Sequence, residues 1–83
     1  MQLHLEQRRP DKNRLRFYAL EMGQDLFGAW VLTRRWGRIG QSERVWRERC
    51  ASQDAAAKLA RDIQRQKENR GYVLLPEQME LPL

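Results

Sequence analysis

A short run near the middle of the chain combines side chains that suit a polyanionic partner. Residues 32–40 read LTRRWGRIG, which places one tryptophan and three arginines beside two glycines. Arginine offers a planar, permanently charged group for phosphate oxygens, and tryptophan offers a face on which a base or sugar can stack. Glycine lets the backbone turn sharply or approach a ligand closely. The run therefore favours nucleic acid as the partner.

The residues expected to contact nucleic acid lie in this run and on the strand that follows it. They are Arg34, Arg35, Trp36, Gly37, Arg38, Gly40, Arg44 and Arg47. Successive residues of a strand point to opposite faces, so Arg34 and Arg35 cannot both serve one surface unless a bulge intervenes. At least one strand arginine is then a bystander, and a solvated strand face remains the alternative for the others.

The tryptophans have two competing interpretations. Trp36 stands next to Gly37 at a strand end, where an indole can reach solvent and stack on a ligand, or can anchor the hairpin from the core. Trp30 and Trp46 are expected in the core. The two glycines are expected to permit a tight turn, although a backbone N–H there can also meet a phosphate.

Composition sets independent limits on the function. A chain of 83 residues buries one modest core, which leaves no room for a second catalytic domain. The formal charge of +5 points to an anionic partner or simply to solubility. Arginine far outnumbers lysine, which suits bidentate phosphate recognition, but a GC-rich genome produces the same bias.

Several kinds of chemistry are not expected. Cys50 is the only cysteine and His4 the only histidine, which excludes a disulfide within the chain and falls short of a zinc site. Neither serine nor cysteine has a spaced base and acid, so we expect no catalytic residues, no metal, no cofactor and no enzymatic activity. The apolar runs are too short to span a membrane, and a cytoplasmic location is expected.

The hydrophobic pattern predicts strands first and a helix last. Alternation predicts a short strand around residues 3–8 and three further strands, at Arg14–Met22, Phe27–Trp36 and Glu43–Cys50. Short turns between them imply an antiparallel meander. On the third strand, the even residues from Trp30 to Trp36 share one face and Ala29, Val31 and Thr33 share the other.

The second half of the chain predicts one helix. Ser52 is a suitable N-cap, the stripe of Ala56, Leu59, Ala60 and Ile63 has helical spacing, and Gly71 suits the end. A short edge strand at residues 72–75 follows, and a flexible tail is expected at residues 76–83. The predicted fold class is α+β, with an antiparallel β-sheet meander packed against one α-helix.

The same residues resemble a known family, the WGR domain of poly(ADP-ribose) polymerases and of short bacterial proteins. Residues 35–40, RWGRIG, resemble its signature, and RFYAL at 16–20, WVLT at 30–33 and RGY at 70–72 resemble its other conserved segments in order and spacing. The resemblance covers about residues 14 to 73. It implies a WGR-like domain at residues 1–75, in which Trp36 contacts DNA at a break.

These observations predict a monomeric bacterial protein with a non-enzymatic, nucleic-acid-binding function. DNA is the expected partner, through arginine contacts to phosphates and stacking by Trp36, with a preference for strand ends implied by the resemblance. RNA binding uses the same chemistry and remains open. The alternative is an adaptor that docks an acidic protein partner through the same face.

Overall fold

Five strands and one helix account for most of the residues that the structure describes. The computed structural model describes residues 1–76, with elements in the following order: β1 (Gln2–Arg9), β2 (Arg14–Gln24), β3 (Trp30–Arg38), β4 (Glu43–Cys50), α1 (Gln53–Glu68) and β5 (Val73–Leu75). A single 3-10 turn, Pro10–Lys12, joins β1 to β2. The predicted α+β class, with an antiparallel sheet and one helix, is confirmed. The tail prediction lies, apart from Pro76, outside the described residues.

The strands form one sheet in the order β4-β3-β2-β1-β5, and every neighbouring pair is antiparallel. The first four strands make the predicted meander. The chain then crosses the sheet through α1, and β5 returns on the far side of β1, where Leu74 pairs with Leu5. The long edge of the sheet is therefore β4, and the opposite edge is only three residues long.

Helix α1 covers one face of the sheet, called here the helix side; the other is called the open face. The core lies between α1 and the middle strands, where Leu5, Leu20 and Leu32 are almost fully buried. From the helix, Ala56, Ala60 and Ile63 complete this core. Burying each large aliphatic side chain contributes roughly 1.5 to 3 kcal/mol.

The ends of α1 follow the sequence signals closely. The Ser52 Oγ accepts a hydrogen bond from the Ala55 backbone N–H at 3.1 Å, which confirms the predicted N-cap. Asp54 lies in the first turn, where its charge interacts favourably with the helix dipole. The helix ends at Glu68, and Gly71 adopts a φ of +94°, which lets the chain turn towards β5.

Strand β3 begins three residues later than predicted. The Asp25 Oδ1 accepts hydrogen bonds from the backbone N–H groups of Phe27 and Ala29, both at 2.9 Å, and so holds a turn in place of a strand. Leu26 and Phe27 consequently lie at the tip of this turn, 100% and 89% exposed. The strand prediction was wrong at Phe27 because its aromatic character outweighed the turn chemistry of Asp25 and Gly28.

Gly37 and Gly40 of the central run favour glycine for different structural reasons. Gly40 has a φ of +82°, in the hairpin between β3 and β4, as expected for a turn glycine. Gly37 instead lies inside β3, where a Cβ would stand 3.0 Å from the Ser42 backbone oxygen and 3.6 Å from the Phe17 ring. Close packing, not a turn, therefore requires glycine at position 37.

We predict that Gly37→Ala lowers the free energy of unfolding by about 1 to 3 kcal/mol, because the added methyl must displace backbone at Ser42. The matched control is Gly23→Ala on β2, where nothing lies within 4 Å of the added Cβ. That variant should be neutral or stabilising by roughly 0.5 kcal/mol. Urea denaturation of both variants measures the difference, and equal stabilities would contradict the packing explanation.

Candidate nucleic-acid interface

Two cross-strand rows lead from the core to the β4 edge on the helix side. In the first row, the register places Tyr18 of β2 between Leu5 of β1 and Trp36 of β3, and Arg44 of β4 follows. This alignment results from strand alternation, because directly opposed residues of antiparallel strands share a face. The row is fully apolar at β1 and charged at β4.

The second row runs parallel to the first, two residues away on each strand. It contains Leu3, Leu20, Arg34 and Trp46 in order from β1 to β4. Leu20 is buried at 2% exposure, whereas Trp46 is 59% exposed. The helix side of the sheet is therefore buried at β2 but exposed to solvent at β4.

Trp36 lies where the interior meets solvent. Its indole stacks on the Tyr18 ring, with 5.7 Å between the ring centroids and 17° between the planes, and it packs against the buried core cluster. The residue is only partly buried. Offset aromatic pairs of this kind contribute about 0.5 to 1.5 kcal/mol beyond their buried area. The indole is therefore held firmly by the core and yet is accessible to a ligand.

A lysine from the helix completes the aromatic pair. The Lys67 Nζ lies 4.5 Å from the centroid of the Tyr18 ring and 5.8 Å from that of Tyr72. Burial lowers the pKa of Lys67 below its ordinary 10.5, and the positive charges of Arg70 and Arg34 lower it further. A partly desolvated cation beside two more cations is favourably placed to receive an anion.

Arg38 is held in place by the turn before β2. Its Nη1 donates to the Asn13 backbone oxygen at 3.1 Å and its Nη2 donates to the Asn13 Oδ1 at 2.7 Å. Asn13 itself adopts the left-handed conformation, with a φ of 54°, which asparagine tolerates better than most residues. Arg16, an exposed residue of β2, lies opposite Arg38 in the register.

Arg34 forms an ion pair with Glu48 of β4. Its Nη2 donates to the Glu48 Oε2 at 2.7 Å across β3 and β4, and its side chain is 25% exposed. The Arg34 Nε is buried and has no hydrogen-bond partner among residues 1–76. The ion pair holds this guanidinium group in place, and its positive charge also acts on Lys67.

The structure divides the eight predicted residues between the two faces. Arg34, Trp36, Arg38 and Arg44 share the helix side, Arg35, Gly37 and Arg47 belong to the open face, and Gly40 lies in the hairpin turn. Arg35 donates from Nη1 to the Glu43 Oε1 at 3.1 Å, away from Trp36. The expectation that Arg34 and Arg35 serve different surfaces agrees with this register.

One tryptophan assignment from the sequence was also wrong. Trp46 was expected in the core, but it is exposed because β4 is the sheet edge and α1 does not cover that corner. Four further residues belong to the surface around Trp36, and the complete set is called here the helix-side patch: Arg16, Tyr18, Arg34, Trp36, Arg38, Arg44, Trp46 and Lys67. Because alternate residues of a strand share a face, the sequences of β2 and β4 could have indicated the members of the patch on these strands. Nothing in the sequence indicated Lys67.

The open face carries carboxylates among its arginines. One groove on this face, of about 820 Å³, is lined by Glu6, Glu21, Arg35 and His4. A second groove brings Arg35, Arg47 and Arg49 together with Glu21 and Asp25. His4 stacks on Phe17 with 6.0 Å between the ring centroids and bonds to Glu6 at 3.1 Å. The Arg8 guanidinium, followed by His4, keeps the pKa of Glu6 below its ordinary value, against the opposing effect of its burial. Fixed negative charge therefore lies in the first groove.

Two absences hold for the part of the chain that the structure describes. No helix within residues 1–76 has the length and apolar character needed to cross a membrane. In the same range, no group of three or more His, Cys, Asp and Glu side chains comes together in a way that could hold a metal ion.

Fold and surface together define a small α+β module with a basic, aromatic patch beside a sheet edge. The family model of the WGR domain matches residues 1–79, and the chain belongs to that family. WGR domains are in general nucleic-acid-binding modules.

One curated relative is the uncharacterized protein y4dW of Sinorhizobium fredii, to which the chain is 37% identical over 70 residues. The alignment covers 84% of this chain and 34% of that protein, so the chain spans about a third of its relative's length. No solved structure matches the chain.

We predict that Arg70→Gln raises the pKa of Lys67 towards 10.5, because it removes one of the positive charges that disfavour the ammonium. Arg61→Gln, the same change on the exposed side of α1, should leave that pKa unaltered. Because the unfolded chain retains this proton to higher pH, the contribution of Lys67 to stability rises as the pH increases from its folded-state pKa to 10.5. NMR titration of the lysine Cε signals measures the pKa, and equal values in both variants would contradict the assigned cause.

Proposed function

We propose that this WGR domain is a non-enzymatic DNA-binding module that uses the helix-side patch and prefers strand ends or breaks. The observation that carries the proposal is the partly buried Trp36, stacked on Tyr18 at 5.7 Å and surrounded by cationic residues on one face. Family membership supports nucleic acid as the ligand. DNA in particular, stacking by Trp36, and the preference for ends belong to the proposal.

The aromatic stack supports a stacking role for the indole. Because Tyr18 and the core fix one side of Trp36, a base or sugar that packs on the accessible part meets a ring that is already ordered. Such preorganisation reduces the entropy lost on binding. Stacking of a base on an aromatic side chain contributes about 1 to 3 kcal/mol.

The preference for ends is implied by the resemblance to the WGR family, and the same geometry supports it. In a continuous duplex each base is covered by its neighbours, so an indole can stack only where the strand stops or is distorted. Arg16, Arg38 and Arg44 then contact phosphates on either side of that position, with Lys67 adding charge from the helix. Phosphate contacts of this kind give strong salt dependence and little base discrimination.

We predict that the domain binds a nicked or blunt-ended duplex more tightly than a closed circle of the same sequence, compared per binding site at one salt concentration. Fluorescence anisotropy or electrophoretic mobility titrations measure the affinities. Equal affinities for all three would remove the preference for ends. An adaptor for an acidic protein would instead show no DNA binding beyond that of any protein of equal charge. Tighter binding to RNA than to DNA would indicate RNA as the ligand.

We predict that Trp36→Leu weakens binding to the nicked duplex by about 1 to 3 kcal/mol, because the stacking face is lost. Leucine is preferable to alanine here, since Trp36 packs on the core and a larger cavity would destabilise the fold. The control is Phe27→Leu, an exposed aromatic residue in the turn at the opposite end of β3. If both variants bind as tightly as the wild type, Trp36 does not stack on the ligand.

We predict that Arg16→Gln weakens DNA binding more than Arg47→Gln does, and lowers the slope of log K against log salt by about 1. Both arginines are exposed and neither makes a side-chain hydrogen bond or ion pair among residues 1–76, but Arg16 lies on the helix side and Arg47 on the open face. Both variants change the net charge equally. Equal losses would indicate binding by overall charge, without a defined surface.

A further inference from the structure

The β4 strand combines features that are unusual for a free sheet edge. It is eight residues long and pairs only with β3 among the described elements, so half of its backbone hydrogen-bonding groups face outwards. Two large apolar side chains lie at its centre, Val45 at 46% exposure and Trp46 at 59%. Exposed apolar residues on an open edge are typical of an interaction surface.

The charges on β4 are self-complementary when the strand pairs with a copy of itself. If Trp46 lies opposite Trp46 of a second copy in antiparallel register, Arg44 faces Glu48 and Glu43 faces Arg49. The two-fold symmetry repeats each pair, so four pairs of opposite charge flank the paired indoles. Opposite charges directly across a pair of strands stabilise it by roughly 0.2 to 1 kcal/mol for each pair.

Neighbouring registers lack this complementarity. A shift of one residue in one direction places Glu43 opposite Glu48 and Arg44 opposite Arg47, and a shift in the other direction places Arg44 opposite Arg49. Either shift also places the helix side of one copy beside the open face of the other, because successive residues of a strand point to opposite faces. Shifts of two residues keep the faces aligned, but one of them leaves only two pairs of opposite charge, Glu43 with Arg47, and the other places Arg47 opposite Arg47. The proposed register therefore has the most pairs of opposite charge.

The ion pairs within the chain leave these charges partly exposed, including that of Arg49, which is 75% exposed although it lies 3.7 Å from Asp25. Arg35 of β3 already holds Glu43 at 3.1 Å, and Arg34 holds Glu48 at 2.7 Å, each from the inner side. The two glutamate side chains remain 39% and 41% exposed, which leaves room for a second cation. Arg44 makes no hydrogen bond or ion pair with its side chain among residues 1–76. The second copy would therefore place each glutamate between two arginines.

We propose that β4 is a self-association edge, at which two copies of this chain pair in antiparallel register about Trp46 to form one continuous ten-stranded sheet. Paired residues share a face, so both α1 helices lie on the same side of that sheet. The pairing would replace the monomer expected from the sequence. Because two edge strands bury much less than the roughly 1,600 Å² of a standard interface, the association is expected to be weak and concentration-dependent.

The pairing has a geometric consequence for the proposed DNA site. The two Trp36 residues are separated by three strand spacings across the sheet and by four residues along it, which places them about 20 Å apart on one face. The dimer would present two helix-side patches side by side. This consequence depends on the proposed function, whereas the association itself does not.

Sedimentation velocity over a concentration series tests the pairing without DNA. The wild-type chain, of 10.0 kDa, should approach twice that mass as the concentration rises. Arg49→Glu places carboxylates opposite each other in two symmetric pairs and should weaken the association by at least about tenfold. The double variant Glu43→Arg/Arg49→Glu restores opposite charges and should recover it. Arg61→Glu on α1 is the control with the same charge change, and should dimerise like the wild type.

Each outcome decides the proposal. A wild-type chain that stays monomeric up to about 1 mM overturns it. Equal association of the Arg49→Glu and Arg61→Glu variants places any contact elsewhere and also overturns it, as does a double variant that remains monomeric. Val45→Lys provides a second probe, because it adds a charge opposite Arg47 of the second copy and should weaken the dimer while α1 and the core remain intact.

Discussion

The stacking of Trp36 on Tyr18 is the interaction on which the candidate interface depends. Tyr18 belongs to the buried core with Leu20 and Leu32, while Trp36 is partly accessible, so the pair joins the folded interior to the surface. The antiparallel register of β2 and β3 fixes this pairing, and Lys67 adds its ammonium group to the Tyr18 ring from the helix. The residues that stabilise the fold therefore also determine where an anionic ligand can bind.

The position of the helix explains why the patch exists at all. Helix α1 packs against β2, β3 and β4, where Cys50 contacts the core, but Trp46 and Arg44 of β4 remain in solvent. Within each cross-strand row, apolar side chains give way to charged or exposed aromatic ones. One surface can thus combine stacking faces with positive charge, which is the combination that binding of nucleic acid requires. The open face, in contrast, has two carboxylates, Glu6 and Glu21, in one of its grooves.

Much of this architecture could be predicted from the sequence, because the relevant signals are local. Alternation along β3 placed Trp36 and Arg34 on one face, and the cap at Ser52 located the start of α1. Features that depend on tertiary arrangement could not be predicted. The exposure of Trp46 depends on which strand lies at the edge, and the approach of Lys67 to Tyr18 depends on the path of the helix across the sheet. Gly37 is a similar case, because Ser42 approaches it only after the hairpin between β3 and β4 has closed.

The three tryptophans occupy different environments, and this has a spectroscopic consequence. Trp46 is 59% exposed, whereas Trp30 and Trp36 are partly buried, and Trp36 also lies against a tyrosine ring. Indole emission shifts to longer wavelength as the ring meets water, so the intrinsic fluorescence of the chain is a sum of distinct components. Positive charge in the helix-side patch around Trp36 and Trp46 attracts iodide and repels caesium, so quenching by the two ions distinguishes their emission from that of Trp30. The chain thus carries its own optical probe of the surface around β4.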